Sequence, residues 1–252
     1  MCGRYASARK RQELLEEFRV QADHVREPLT PDYNVAPTKP VYAVLERRRD
    51  GLATRQLRVL RWGLVPSWAK DPSRGSKLIN ARVETVAIKP AFRHAFARRR
   101  CLLPADGYYE WQPRKSASER ISKQPFFISP HGGQILAMAG LYELWRVPEL
   151  PREDPDAWLW TASIITTQAA DGLGHIHDRT PMVVERDYWT RWLDPARTKA
   201  ADLSDLLVPA ASVGLDVRPV SPAVGDVRNN GPGLIEPAPC GEDSSEAAAA
   251  LF

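Results

Sequence analysis

The sequence is poor in cysteine and has no long hydrophobic run, and each absence excludes something. Its 252 residues hold three cysteines, Cys2, Cys101 and Cys240. They form no CxxC pair and no regular framework, which argues against a disulfide-stapled secreted domain and against a zinc finger. No stretch approaches the ~20 apolar residues of a membrane span. Arg4, Arg9, Lys10 and Arg11 have no apolar run behind them, so the start does not read as a signal peptide. A reducing, cytoplasmic compartment is expected. Also missing are a GxGxxG after a strand, a Walker loop, HExxH and GxSxG. Nucleotide-driven, zinc-protease and serine-hydrolase chemistries lose their usual signatures with them.

What is present is ordinary in amount and uneven in placement. Hydrophobic residues make up 43% and charged residues 26% of the chain, enough to bury a core in one large domain or two small ones. The net charge is only +4, yet residues 41–100 carry 15 Lys and Arg against 4 Asp and Glu, and residues 101–252 carry 13 against 21. A basic middle on a near-neutral chain is either a patch for a polyanion or a solvated Arg-rich face; charge alone leaves both open.

Ser7 is placed to cap a helix running through Phe18, with Leu14, Leu15 and Phe18 on one face. Val41–Leu45 and Leu57–Trp62 read as strands around a polar turn at Asp50-Gly51. Pro90, Phe92 and Phe96 suggest a short helix over Ala91–Arg99. Strand-like runs follow at Cys101–Pro104, Tyr108–Trp111, Pro125–Ser129, Ile135–Leu144, Trp158–Thr166 and Val217–Val220. Asp187–Leu193 and Ala200–Leu207 read as helical. Without a βαβ rhythm, the fold class is α+β with a mostly antiparallel sheet. Residues 1–239 form the expected domain, and 240–252, acidic then Ala-rich, an expected disordered tail. The polar, Pro-rich segment 146–157 suggests no function.

Four segments carry candidate chemistry, and each read alone also has a plain structural explanation. Removal of Met1 would give Cys2 a free amine beside its thiol, groups with ordinary pKa values of about 7.7–8.0 and about 8.5. Such an aminothiol condenses with an aldehyde and closes a thiazolidine ring; the alternative is a near-terminal cysteine without a role. Asn80, Arg82 and Glu84 alternate along an extended segment and would share one side, either to orient and grip a phosphorylated ligand or as an exposed strand face. Glu110, between Tyr109 and Trp111, is either desolvated with a raised pKa suited to proton transfer or turned outward. His175 and His177 lack the companions a metal site needs. His177 beside Asp178 is instead a candidate general acid, with Arg179 as a phosphate contact, or a loop histidine.

Taken together, these segments resemble the SRAP (SOS response-associated peptidase) family. The resemblance runs from Cys2 to about Glu236, over the ordered blocks Cys2–Tyr5, Tyr33–Pro37, Trp62–Trp68, Asn80–Glu84, Asp106–Trp111, His177–Pro181 and Val224–Asn229. It implies a single domain around a twisted, barrel-like, mostly antiparallel sheet with peripheral helices. It implies a DNA-repair protein, nucleoid-associated and monomeric, that binds single-stranded DNA and strand junctions. Abasic sites would be captured there through a thiazolidine with Cys2, with lyase activity as an accompaniment and no metal or cofactor. Asn80 matches the lesion-positioning Asn, Glu110 the active-site Glu, and His177 the His assisting sugar ring opening. Arg4, Arg82 and Arg179 match backbone-holding arginines, Trp68 and Pro37 residues packing on bases, and Thr167 a Thr near the Glu. The alternatives are an N-terminal-cysteine peptidase or amidohydrolase that removes its own Met1, and a non-covalent DNA-binding module.

Overall fold

The computed structural model describes residues 2–115, 121–169, 173–207 and 214–238. The segment expected as a tail, with Cys240, lies outside them. In chain order the first half holds β1 (Tyr5–Ser7), α1 (Arg11–Glu17), β2 (Ala22–Asp23), β3 (Asp32–Val35), β4 (Pro40–Arg49), β5 (Leu52–Trp62), β6 (Asn80–Arg82) and α2 (Arg93–Arg98). Then come β7 (Arg100–Ala105), β8 (Gly107–Lys115), β9 (Ile121–Pro130), β10 (Leu136–Arg146) and β11 (Trp158–Gln168). The last are β12 (Arg179–Pro181), α3 (Trp189–Leu193), α4 (Ala200–Ser204) and β13 (Leu215–Pro219).

Five strands close on themselves. β4 pairs with β5 and β7, β7 with β10, and β10 with β11, all antiparallel; β11 then meets β5 in a short parallel contact, Thr161 opposite Arg61 and Ala162 opposite Trp62. The result is a five-stranded barrel. Strand alternation sorts its side chains. Val41, Ala43, Leu45, Leu60, Trp62, Cys101, Leu103, Met138, Tyr142 and Ala162 pack in one interior cluster. Tyr42, Val44, Leu102, Ala137, Ala139 and Leu141 face outward, onto Leu14, Phe18, Phe92, Phe96, Trp189 and Trp192 of the helical layer. A second, five-stranded sheet, in the order β13-β9-β8-β1-β3, carries the chain's start across one barrel mouth.

The β4–β5 hairpin turns where the sequence places it. Asp50 and Gly51 both have positive φ (50° and 85°), the conformation of a tight two-residue hairpin turn, and Arg49 pairs with Leu52. Ser7 does not cap a helix: it ends β1, and α1 begins at Arg11 after Lys10, without a side-chain cap. Pairing of Tyr5 and Ala6 with β8 buries both side chains, and that outweighs the local capping preference. The Asn80–Glu84 alternation holds only through Arg82; the chain then enters a turn.

Candidate functional site

The second sheet brings Cys2 to Glu110. Tyr5 pairs with Tyr108, and the amide of Tyr109 donates to the carbonyl of Arg4 at 3.0 Å. Continuing that antiparallel register lays residues 2–3 alongside 110–111. Cys2 is fully buried, in the interior cluster with Tyr5, Trp62 and Tyr108. Burial, reinforced by the negative charge of Glu110, pushes its thiol well above the ordinary range.

Glu110 is 3% exposed. Burial pushes its carboxyl up to about 7, with Asp178 adding in the same direction. Period-two alternation puts Tyr108 on the same side of β8 as Glu110, and burial, with the charges of Cys2 and Glu110, likewise raises the Tyr108 phenol. Its hydroxyl lies 2.7 Å from Thr180 Oγ1, which ties β8 to β12.

Asn80 reaches the same place from β6. That strand rests on β11, Asn80 opposite Ile164 and Arg82 opposite Thr166. Asn80 Nδ2 donates to the carbonyl of Cys2 at 2.7 Å. Its Oδ1 is buried and has no hydrogen-bond partner among the described residues. The approach of β6 depends on a close crossing upstream. Gly63 has φ +121°, and a Cβ there would lie 2.6 Å from the carbonyl oxygen of Gly75, so this crossing excludes a side chain.

His177 precedes β12. Its Nδ1 accepts the amide of Arg179 at 2.9 Å, and Asp178 Oδ1 lies 2.8 Å from the same nitrogen. Burial lowers the imidazole pKa, Asp178 opposing. The Arg179 amide needs Nδ1 unprotonated and the Asp178 carboxylate needs it protonated, so the two compete for that nitrogen. His175 is exposed. Among the described residues no group of three His, Cys, Asp or Glu is placed to hold a metal ion.

The residues expected to touch DNA divide into two sets. Arg82 is exposed, Trp68 is 56% exposed with the Arg74 guanidinium 5.7 Å from its ring centre, and Pro37 is half-buried in a turn. Arg4 and Arg179 are engaged within the protein. Arg4 donates to Asn34 Oδ1 at 2.7 Å and to the carbonyl of Val224 at 2.9 Å. Arg179 grips Glu84 with two bonds, 2.6 and 3.1 Å, and donates to the carbonyl of Thr166 at 2.6 Å. That clamp fastens the segment bearing Asn80 to the one bearing His177. Thr167 is buried opposite Thr180. Tyr108 and Thr180 are the members that reading by segment passed over, whereas Glu84, read beside Asn80 and Arg82, is engaged by Arg179. Alternation along β8 signals Tyr108; its partner Thr180 carries no local signal.

The model of the SOS response associated peptidase family matches residues 1–227. The chain belongs to the SRAP family. Among similar proteins is the abasic site processing protein YoqW of Bacillus subtilis (strain 168), 36% identical over 236 residues, covering 94% of this chain and 99% of the relative. Another is the abasic site processing protein HMCES of Gallus gallus, 32% identical over 273 residues, covering 94% of this chain and 78% of the relative. The fold recurs in a solved structure from Bacteroides thetaiotaomicron, with a TM-score of 0.75 at 24% identity, covering 94% of this chain and 100% of that one.

Proposed function

We propose that this SRAP protein processes abasic sites in DNA, capturing the open-chain sugar aldehyde on Cys2 after Met1 is removed. The observation that carries the reading is the setting of Cys2. Its carbonyl is held by Asn80, and beside it lies a buried carboxyl, Glu110, poised at about 7 to take and return protons near neutral pH. Two relatives over 30% identical along nearly the whole chain are named for abasic site processing.

The order of steps follows from the electrostatics. His177 assists opening of the sugar ring by proton transfer. The Cys2 amine adds to the C1′ aldehyde, and Glu110 moves the protons as water leaves and the imine forms. The thiol, held protonated by burial, then adds across the C=N bond; sulfur takes the carbon, nitrogen takes the proton, and a five-membered ring closes. A raised thiol fits this amine-first order and disfavours a thiolate-first peptidase attack. Asn80 Oδ1, a buried acceptor, is available to a sugar hydroxyl. Arg82, Trp68 and Pro37 offer a phosphate contact and stacking surfaces to an unpaired strand or a junction. The proposal includes a monomeric, cytoplasmic protein acting at the nucleoid, with strand cleavage following any imine that does not close.

The test is an abasic oligonucleotide run on a denaturing gel with and without borohydride. The processed wild type gives an adduct that needs no trapping. Cys2→Ala, keeping the terminal amine, gives one only after borohydride. A Cys2→Ala protein that binds DNA yet traps nothing would overturn the amine-first mechanism and favour the peptidase reading.

A further inference from the structure

The barrel has two mouths. Cys2 sits at the one where Val41, Trp62 and Ala105 face inward. Following the same alternation along each strand to the other end brings Arg47 on β4, Arg58 on β5, Tyr142 on β10 and Trp160 on β11 to the opposite mouth. There the Arg58 and Arg47 guanidinium carbons lie 4.3 and 5.3 Å from the centre of the same Trp160 ring. Tyr142 stacks on that indole, ring centres 5.7 Å apart and planes 14° from parallel.

The barrel wall is open beside this cluster. The parallel contact between β5 and β11 covers only Arg61–Trp62 and Thr161–Ala162. Before it, a cavity of about 650 Å³ lies between the strands, lined among others by His24, Arg58, Arg61, Trp158 and Trp160. Val147, Pro155 and Asp156 also line it; they belong to the Pro-rich segment to which the sequence gives no role.

The charge here is uncompensated. Among the described residues, no carboxylate pairs with Arg47, Arg58 or Arg61. Arg58 donates to the neutral Gln56 Oε1 at 2.9 Å. Nearby acids are committed elsewhere: Glu46 to Arg55, Asp23 to Arg11, Asp156 to Arg26. Glu27 is the remaining acid in the lining. Burial and then the charge of Arg47 lower the Arg58 pKa, so the fold holds two like charges together on one ring. An anion would relieve that repulsion. Trp158, 40% exposed at the rim, adds an aromatic face.

We propose that this far mouth is a second binding site, for a nucleotide unit, with the phosphate on Arg47 and Arg58 and the base on Trp158. Guanidiniums recognise phosphate through fork-shaped donor pairs, and an indole stacks any base. The unit is either part of a single strand or a free mononucleotide.

Photocrosslinking with 5-bromouracil, which couples to a stacked aromatic ring, tests the site directly on the full chain. One arm uses an oligothymidylate containing a single 5-bromouracil, the other 5-bromo-dUMP competed with inorganic phosphate. Peptide mass mapping should place an adduct on Trp158 or Trp160. Labelling by the strand alone identifies a strand contact; labelling by both identifies a pocket for free nucleotides. Arg47→Gln with Arg58→Gln should cut that yield about tenfold, the order expected for lost charge-assisted bonds, with the fold, read by far-ultraviolet dichroism, unchanged. Absence of label at this mouth in both arms, or an undiminished yield in a folded double variant, would overturn the proposal.

Discussion

Glu110 is a buried carboxyl at the heart of the site, and two outcomes follow from its setting. As the group that moves protons during imine formation, it should be replaceable by Gln in shape but not in chemistry. Glu110→Gln should slow adduct formation by ~10²–10⁴-fold in a single-turnover time course, with binding to intact single-stranded DNA kept. The second outcome concerns stability. Its carboxyl is raised from 4.5 to about 7 in the fold, so between those values the native state holds more protons than the unfolded chain. Stability from this group is therefore fully present below about 4.5 and is lost as pH rises through about 7. Glu110→Gln should gain on the wild type by up to about 2–3 kcal/mol at pH 8, the gain vanishing toward pH 4.5, in urea unfolding series at each pH. At this scale the sequence is legible where a residue type announces its chemistry. Cys2, Asn80, Glu110 and His177 stand in recognisable blocks, and the structure brings Asn80 and Glu110 to Cys2. Arg4 and Arg179 are legible as arginines but not as to use. Nothing local to either says that Asn34 or Glu84 will occupy it.

At the scale of elements, Arg100 shows why a count of basic residues overstates a surface. It falls in the basic stretch 41–100 yet is 3% exposed. Its guanidinium donates to the carbonyls of Phe96 and Ala97 at the end of α2 and of Trp192, Asp194 and Arg197 at and beyond the end of α3. One cation thus caps two helix C-termini, where the backbone dipoles favour positive charge. Arg100→Met would leave those carbonyls without their donor and should cost at least about 3 kcal/mol, read as a shift in the denaturation midpoint. The long strands were legible from their apolar runs and the β4–β5 turn from Asp50-Gly51, because both signals are local; the short β1, β2, β3 and β12 were not read. Ser7 misled for the complementary reason: its capping preference is local, whereas the pairing of Tyr5 and Ala6 with β8 joins segments about a hundred residues apart.

At the scale of the whole molecule, the local excess of positive charge resolves into separate tasks. Arg99 pairs with Glu143, Arg55 with Glu46, and Arg100 is internal; Arg82 remains exposed beside Asn80. Arg82→Ala should therefore weaken single-stranded DNA binding and reduce the slope of log affinity against log salt by roughly one phosphate's worth, in titrations at several salt concentrations. An unchanged slope would remove Arg82 from the phosphate contacts. The α+β class was legible from the spacing of strand-like runs. The barrel was expected only through the family resemblance and not from any strand's own pattern, since its closure rests on a two-residue parallel contact between β5 and β11 that leaves no trace in either strand.

The bonds from Arg4 to Asn34 and to Val224 join the first strand to a segment made near the end of synthesis. On a ribosome, residue 224 emerges long after Cys2 has met the enzymes that trim nascent chains. Until it emerges, the amino-terminal strand lacks one of the partners that seat it. Once it is seated, the Cys2 side of the Met1–Cys2 bond is fully buried. The order of manufacture thus gives outside processing an open interval before Cys2 is seated in the barrel mouth.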